Sequence, residues 1–287
     1  MRISDCYGRY KPVFSFEFFP PKTDKGAHNL MATAADLKEA VEPDFISVTY
    51  GAGGSTRDRT HEIVTGIQDE LGVTTMAHQT CIAATQEDVA ANVQRLLDAG
   101  VENILALRGD EPQDATAERP AGGFAHATDL IEFVGERFDI AIGAACYPET
   151  HLESDSATDD MHWTKVKADL GASFMITQLF FDNAHYFAFV DKARAAGINV
   201  PIVPGIMPIT NVAQIERFTK MCGATIPESL QTRLRRVADD PAAVMATGIE
   251  HAIGQCRDLL EHNAPGLHFY TLNKSFATRS ILAALKR

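Results

Sequence analysis

Short apolar runs recur along the chain, and each is followed by a stretch with helical spacing of apolar positions. Eight runs read as strands: Val13–Phe19, Phe45–Tyr50, Thr74–Thr80, Asn103–Leu107, Ile140–Tyr147, Phe174–Phe180, Val200–Pro204 and Leu267–Thr271. The gaps predict helices near 24–41, 57–71, 86–99, 127–138, 158–170, 183–197, 211–222 and 274–285. The gap before the last strand is longer and predicts two more, near 227–236 and 241–262. Some helix ends carry their own signals. Gly100 and Gly197 stand where a helix gives way to a strand, and Thr85 precedes "QEDV" as a cap would. The Gly/Pro-rich patch near 111–123 reads as one long loop. Eight strand–helix units predict a (β/α)8 TIM barrel, one α/β domain over 1–287 with extra helices before the last strand. An open doubly wound sheet is the alternative. It would carry a glycine fingerprint after its first strand, where this chain has Pro20-Pro21.

Composition narrows the partners. The chain has 287 residues, and 26 basic against 38 acidic side chains leave a formal charge of −12. That balance argues against nucleic acid or an anionic membrane surface as a partner. Five scattered cysteines without a CxxC fit a reducing compartment. The N-terminal "MRISDCYGRY" lacks an apolar signal core, and no apolar run approaches about 18 residues. A soluble cytoplasmic protein is the expectation.

A barrel places its site at the C-terminal ends of the strands. Read in order, those ends supply Glu17; Thr49 and Tyr50; His78; Arg108, Gly109 and Asp110; Tyr147 and His151; and Gln178. Six polar ends in sequence predict a large polar site. Each residue also has a plainer reading. Glu17, in "FSFEFFPPKT", is either an acid kept for chemistry or the partner of a buried Arg, because an unpaired buried carboxylate is costly. His78 could be a satisfied core histidine, Asp110 a turn or cap residue, and Gln178 a partner for sheet-edge backbone. The glycine loop "GAGGST" at 51–56 could cradle a phosphate. The cluster Phe180, Phe181, Tyr186, Phe187 and Phe189 reads as packing. No HExxH, G-x-S-x-G, Walker loop or strong metal-ligand spacing is present, so no metal is expected.

The strand-end segments "FSFEFFPPKT", "SVTYGAGGSTRDRT", "AHQTCI", "LALRGDEP", "YPETH", "ITQLFFD", "PIVPGIMPI" and "FYTLN" resemble, in order and over nearly the whole chain, the motifs of the 5,10-methylenetetrahydrofolate reductase family. The likeness is to the short bacterial form, a single flavin-binding barrel without the eukaryotic regulatory domain. The resemblance implies FAD and a ping-pong reaction. NADH or NADPH would reduce the flavin, which would then reduce 5,10-methylenetetrahydrofolate to 5-methyltetrahydrofolate for methionine synthesis. It implies Glu17 as general acid and Asp110 beside flavin and pterin. Gln178, Phe218 and Lys274 would contact substrate. Thr49, Tyr50, Ala52, His78, Arg108, Gly109, Asp110, Ala127, Tyr147, His151, Asp160 and Lys167 would bind the flavin. Burial of Glu17 among phenylalanines is expected to raise its pKa, as a general acid needs. Departures fall at the 111–126 loop, His126, Trp163 and Val166. A homo-oligomer is expected. Two other readings remain: the same chemistry run in reverse, and a non-catalytic barrel subunit of a methyl-transfer complex.

Overall fold

The computed structural model describes residues 1–8, 11–50, 57–110, 120 and 122–285. Its strands are β1 (Val13–Phe18), β2 (Phe45–Val48), β3 (Thr75–Thr80), β4 (Asn103–Leu107), β5 (Ala141–Cys146), β6 (Phe174–Thr177), β7 (Ile202–Val203), β8 (Gly205–Ile206) and β9 (Gly266–Tyr270). The helices are α1 (Asp24–Val41), α2 (Arg57–Leu71), α3 (Gln86–Asp98), α4 (Ala127–Arg137), α5 (Ala157–Asp169), α6 (Asn183–Ala195), α7 (Val212–Cys222), α8 (Glu228–Arg236), α9 (Pro241–Glu261) and α10 (Phe276–Leu285). α8 and α9 are the two extra helices. Thr85 caps α3 in a reciprocal capping box with Asp88, and Gly100 and Gly197 take positive φ of 75° and 81° just past their helices.

Among the described residues the nine strands pair in parallel, in the order β7-β6-β5-β4-β3-β2-β1-β9-β8. The two ends of that order are neighbours in the chain, so the sheet closes and the open-sheet alternative falls away. The predicted seventh strand is two strands. Ile202 and Val203 pair with β6, whereas Gly205 and Ile206 pair with β9. Pro204 between them has no N–H for a ladder, and its carbonyl instead accepts from the His268 N–H at 3.0 Å. Strands also end earlier than the apolar runs: Thr49, Tyr50, Tyr147, Gln178 and Leu179 lie beyond their ladders.

Successive side chains along a strand face opposite sides of the wall. Phe16, Phe18, Ile46, Val48, Ile104, Ala106, Ile142 and Phe269 share the outer core with the helices. Val13, Phe45, Met76, Leu105, Phe174 and Val203 form a separate inner cluster, plugged by Ile3 and Cys6 of a short 3-10 helix, Ile3–Cys6. Asn103 ties this plug down. Its Oδ1 accepts from Ile3 N–H at 2.8 Å, and its Nδ2 donates to the carbonyls of Met1 (3.0 Å) and Thr75 (3.1 Å). Asn103→Ala strands the buried Ile3 donor. It should cost about 2 kcal/mol in urea unfolding, within the usual range for an orphaned buried group. A loss below about 0.5 kcal/mol would show that the plug does not depend on this side chain.

Candidate active site

The alternation that buries Phe16 and Phe18 outside turns Ser15 and Glu17 inward. Glu17 is therefore not lodged among phenylalanines, as its sequence neighbours suggested. Its register partners are Ser47 on β2 and Tyr270 on β9. Glu17 is 5% exposed, and its Oε2 lies 3.2 Å from His78 Nε2 and 3.4 Å from His268 Nε2. His268 is fully buried, and its Nδ1 is 2.8 Å from Ser15 Oγ. The Glu17 carbonyl accepts from the Thr271 hydroxyl at 2.7 Å and the Thr271 N–H at 3.2 Å, which fixes the strand end. Tyr270 reaches across the barrel and donates to the Thr177 carbonyl at 2.6 Å.

The electrostatics overturn the expected sign at Glu17. Burial pushes its carboxyl up, but the charge and hydrogen bonding of His78 and His268 outweigh that push and hold it down at about 2. The partner is a pair of imidazoles, neither the buried Arg nor an apolar seat.

A second group lines the mouth. Arg108, Gly109 and Asp110 follow β4, with Asp110 exposed. Arg108 forks onto Glu153, with Nη2 to Oε1 at 2.7 Å. Tyr147 meets His151 edge-on at 4.5 Å between ring centroids. His151 Nδ1 accepts from the Glu153 N–H at 3.0 Å, which leaves its Nε2 as the protonated nitrogen of the neutral ring. Asp160, on α5, accepts from the His151 N–H at 3.2 Å, so it braces this loop. Lys167 donates to the Ala145 carbonyl at 2.9 Å. Burial pushes the Lys167 and His151 pKa values down and those of Asp160 and Tyr147 up. Arg108, Lys167 and Asp160 all act on the charge of His151, and Asp110 acts on that of Tyr147. These sequence-predicted residues are thus brought together.

The remaining predicted residues are more scattered. Thr49 follows β2 and accepts from the Thr60 hydroxyl at 3.0 Å through its carbonyl. Ala127 opens α4, and Tyr50 follows Thr49. Gln178 turns back on its own chain, with Oε1 accepting from the Leu179 N–H at 2.9 Å. Phe218 on α7 packs against the cluster of Leu179, Phe181, Met207 and Ile209, and Lys274 is exposed after β9. Ala52 and the rest of 51–56 lie outside the described residues, as does most of the 111–126 loop. Trp163 stacks on His126 at 6.1 Å, so two of the departures pack together. Phe180, Phe181, Tyr186 and Phe189 are buried, as packing residues should be. Ser15, His268 and Tyr270 were missed. Their signal was available: Ser15 is two residues before Glu17, and "LHFYT" sets His268 two before Tyr270 in an apolar strand.

The residues fit a flavin dinucleotide. His78 Nε2 is shielded from solvent and faces Glu17 Oε2 at 3.2 Å, so the ring is held at the strand ends where a flavin would sit. Gly109 has φ +91°, and a Cβ there would lie 3.1 Å from Thr80 Cβ, so the backbone stays bare beside the mouth. Arg108, His151 and Lys167 supply donors suited to a diphosphate. Among the described residues, no three His, Cys, Asp or Glu side chains group as metal ligands would.

A closed (β/α)8 barrel with a sealed acid–imidazole cluster at the strand ends and cations at its rim has the layout of a barrel enzyme. The family profile described as methylenetetrahydrofolate reductase matches residues 2–286. The Escherichia coli protein called 5,10-methylenetetrahydrofolate reductase is 37% identical over 271 residues, covering 94% of this chain and 90% of that one. The Arabidopsis thaliana methylenetetrahydrofolate reductase (NADH) 1 is 40% identical over 297 residues, covering 99% of this chain and 50% of that one. The chain spans about half the length of its eukaryotic relatives. A Clostridium thermocellum protein described as binding two copies of 5-methyl-5,6,7,8-tetrahydrofolic acid shares the fold, with a TM-score of 0.59 at 15% identity, over 97% of this chain and 96% of that one. The chain belongs to the methylenetetrahydrofolate reductase family.

Proposed function

We propose that this chain reduces 5,10-methylenetetrahydrofolate to 5-methyltetrahydrofolate, with FAD as its resident carrier and NADH as the hydride donor. The observation that carries this reading is the sealed Glu17 carboxyl between His78 and His268 at the barrel mouth. Family membership supports the substrate, and the Arabidopsis relative's name supports NADH over NADPH. When bound, FAD supplies a two-electron carrier between nicotinamide and folate. Arg108, His151 and Lys167 hold its diphosphate, with Asp160 bracing the His151 loop. Thr49, Tyr50, Ala52, His78, Gly109, Asp110, Ala127 and Tyr147 seat the rest.

The chain's own part is to position groups and to move one proton. Glu17 donates that proton to the nitrogen that leaves when the folate's five-membered ring opens. The barrel wall keeps water from the acid, which strengthens each polar contact there. Asp110 orients the pterin at the mouth. Gln178 swings from its own backbone to the substrate, and Phe218 and Lys274 contact it from the rim. The product feeds methionine synthesis in the cytoplasm.

Purified protein should be yellow, and denaturation should release FAD rather than FMN into the supernatant. The same preparation should oxidise NADH beyond one equivalent per flavin only when methylenetetrahydrofolate is present or another acceptor replaces it. Protein incubated with excess FAD that shows no flavin absorbance after desalting would defeat this reading.

A further inference from the structure

The loop after β5 carries two of the flavin-side residues, Tyr147 and His151. Between them the backbone is strained. Thr150 has φ +74°, a left-handed conformation that a β-branched side chain rarely takes. Its N–H closes a turn onto the Tyr147 carbonyl at 3.3 Å. Such strain persists only where the surroundings hold it. Glu149, the residue before it, reaches out of the loop to a segment 76 residues further along the chain. Its side chain is only 11% exposed. The Thr225 N–H forks onto its two carboxylate oxygens at 3.1 Å each, and the Thr225 hydroxyl donates to Oε2. His185 Nε2 stands 3.5 Å from the same oxygen. The loop has a second grip on that segment. Leu152 packs on Gly223, where φ is +77° and a Cβ would lie 2.6 Å from Leu152 Cδ2. Gly223 ends α7, with its N–H donating to the Thr219 carbonyl at 2.8 Å.

α7 needs an anchor of this kind. Of its 11 residues it buries only Ile215 and Thr219, whereas α4, of the same length, buries Thr128, Leu130, Ile131, Phe133 and Val134. Packing alone therefore holds α7 lightly, yet it carries Phe218. We infer that Glu149 is the positioning residue that locks α7, and with it Phe218, to the loop bearing Tyr147 and His151. The flavin-side loop and the substrate-side helix then form one rigid unit. This rests on the reading of Phe218 as a substrate contact. A carboxylate suits the task, because it accepts from a backbone N–H and a hydroxyl at once, and hydrogen bonds to an ionised acceptor are the stronger kind. Glu149 touches neither substrate nor flavin in this reading. It acts through placement, so its loss should weaken substrate binding more than it slows the chemical step.

The test uses the FAD-loaded enzyme. In Glu149→Ala, the amides of α7 and of residues 223–226 should exchange with deuterium at least about 10-fold faster, while the barrel strands keep their wild-type protection. KM for methylenetetrahydrofolate should rise about 10-fold with kcat within about threefold of wild type, the pattern of lost uniform binding. Because the effect runs through Phe218, adding Glu149→Ala to Phe218→Ala should raise KM no further than Phe218→Ala does alone. A general weakening of the fold would add to it. Wild-type exchange in α7, or additive effects on KM, overturns the inference. If Glu149→Ala does not fold, Thr225→Val takes its place, since it removes the hydroxyl and keeps the N–H. It should move exchange and KM in the same directions by less, and Thr225→Ser should restore both; a Thr225→Val protein identical to wild type overturns the inference. Phe218→Ala separates the two levels. If its KM is that of wild type, the reading of Phe218 as a substrate contact falls, and the exchange result alone decides whether Glu149 locks the helix.

Discussion

Glu17→Gln is expected to slow the folate half-reaction by at least about 100-fold, the low end for removing a positioned acid, while NADH reduces the flavin at its normal rate. The amide keeps the shape of the side chain but has no proton to release at the leaving nitrogen. Flavin reduction needs nothing from Glu17, so the two half-reactions should separate in stopped flow. Folding should survive. Had a buried Arg faced Glu17, the variant would leave an uncompensated charge and lose about 3–5 kcal/mol. The partners are instead two histidines. The stability loss near neutral pH should not exceed about 3 kcal/mol, the linkage equivalent of a carboxyl held from 4.5 down to about 2.

The acid side carries a second signature. The Glu17 carboxyl is depressed from 4.5 to about 2 in the fold. A depressed carboxyl stabilises the folded state above its unfolded pKa, and that contribution disappears as pH falls through the folded value. Wild type should therefore lose stability from about pH 4.5 down to about 2 through this group, whereas the Gln variant should not. Equal slowing of both half-reactions, or a protein destabilised at neutral pH with normal folate chemistry, would make Glu17 a structural counter-charge.

The barrel was legible because its grammar is local. Each apolar run, helical stretch and cap reports on a few neighbouring residues, and the helix limits near 24–41, 57–71 and 183–197 agree with the structure to within two residues. The polar strand ends were legible for the same reason. What escaped depends on pairing across the barrel. "FSFEFFPPKT" reads as an acid among aromatics because a string of letters does not show the two faces of a strand; in the wall, Phe16 and Phe18 face the helices and Glu17 faces His78 and His268. His268 is 251 residues from Glu17 in the chain and meets it only because β9 closes the barrel against β1. The direction of the pKa shift went wrong with it, since burial was visible in the sequence and the two imidazoles were not. The split at Pro204 escaped because a proline at a seam looks, in sequence, like a proline at a strand end.

At that seam a single methyl group should damage the fold. Gly205→Ala is expected to destabilise the protein by about 3 kcal/mol, the upper end for overpacking. A Cβ on Gly205 would lie 2.4 Å from the Thr177 carbonyl oxygen and 2.5 Å from the Tyr270 hydroxyl, the two atoms joined by the 2.6 Å hydrogen bond across the barrel. Neither has room to retreat. Thr177 is in the β6 ladder, its hydroxyl accepts from the Gly205 N–H at 2.9 Å, and Tyr270 is the register partner of Glu17. Tyr270→Phe in the same chain removes the collision with the hydroxyl and leaves those with the Thr177 carbonyl and with the ring carbon Cε2, which a Cβ would approach to 2.7 Å. The double variant should recover only about 1 kcal/mol, a coupling of the size seen between groups in contact. Urea midpoints of wild type, both single variants and the double variant measure it directly. A Gly205→Ala protein within about 1 kcal/mol of wild type, or full recovery on adding Tyr270→Phe, would show that the strand shifts at Pro204 to admit the methyl group. The folate half-reaction gives the functional readout. A displaced Tyr270 drags the end of β9, which carries Thr271 and its two hydrogen bonds to the Glu17 carbonyl, so the acid loses its aim even in the fraction that stays folded.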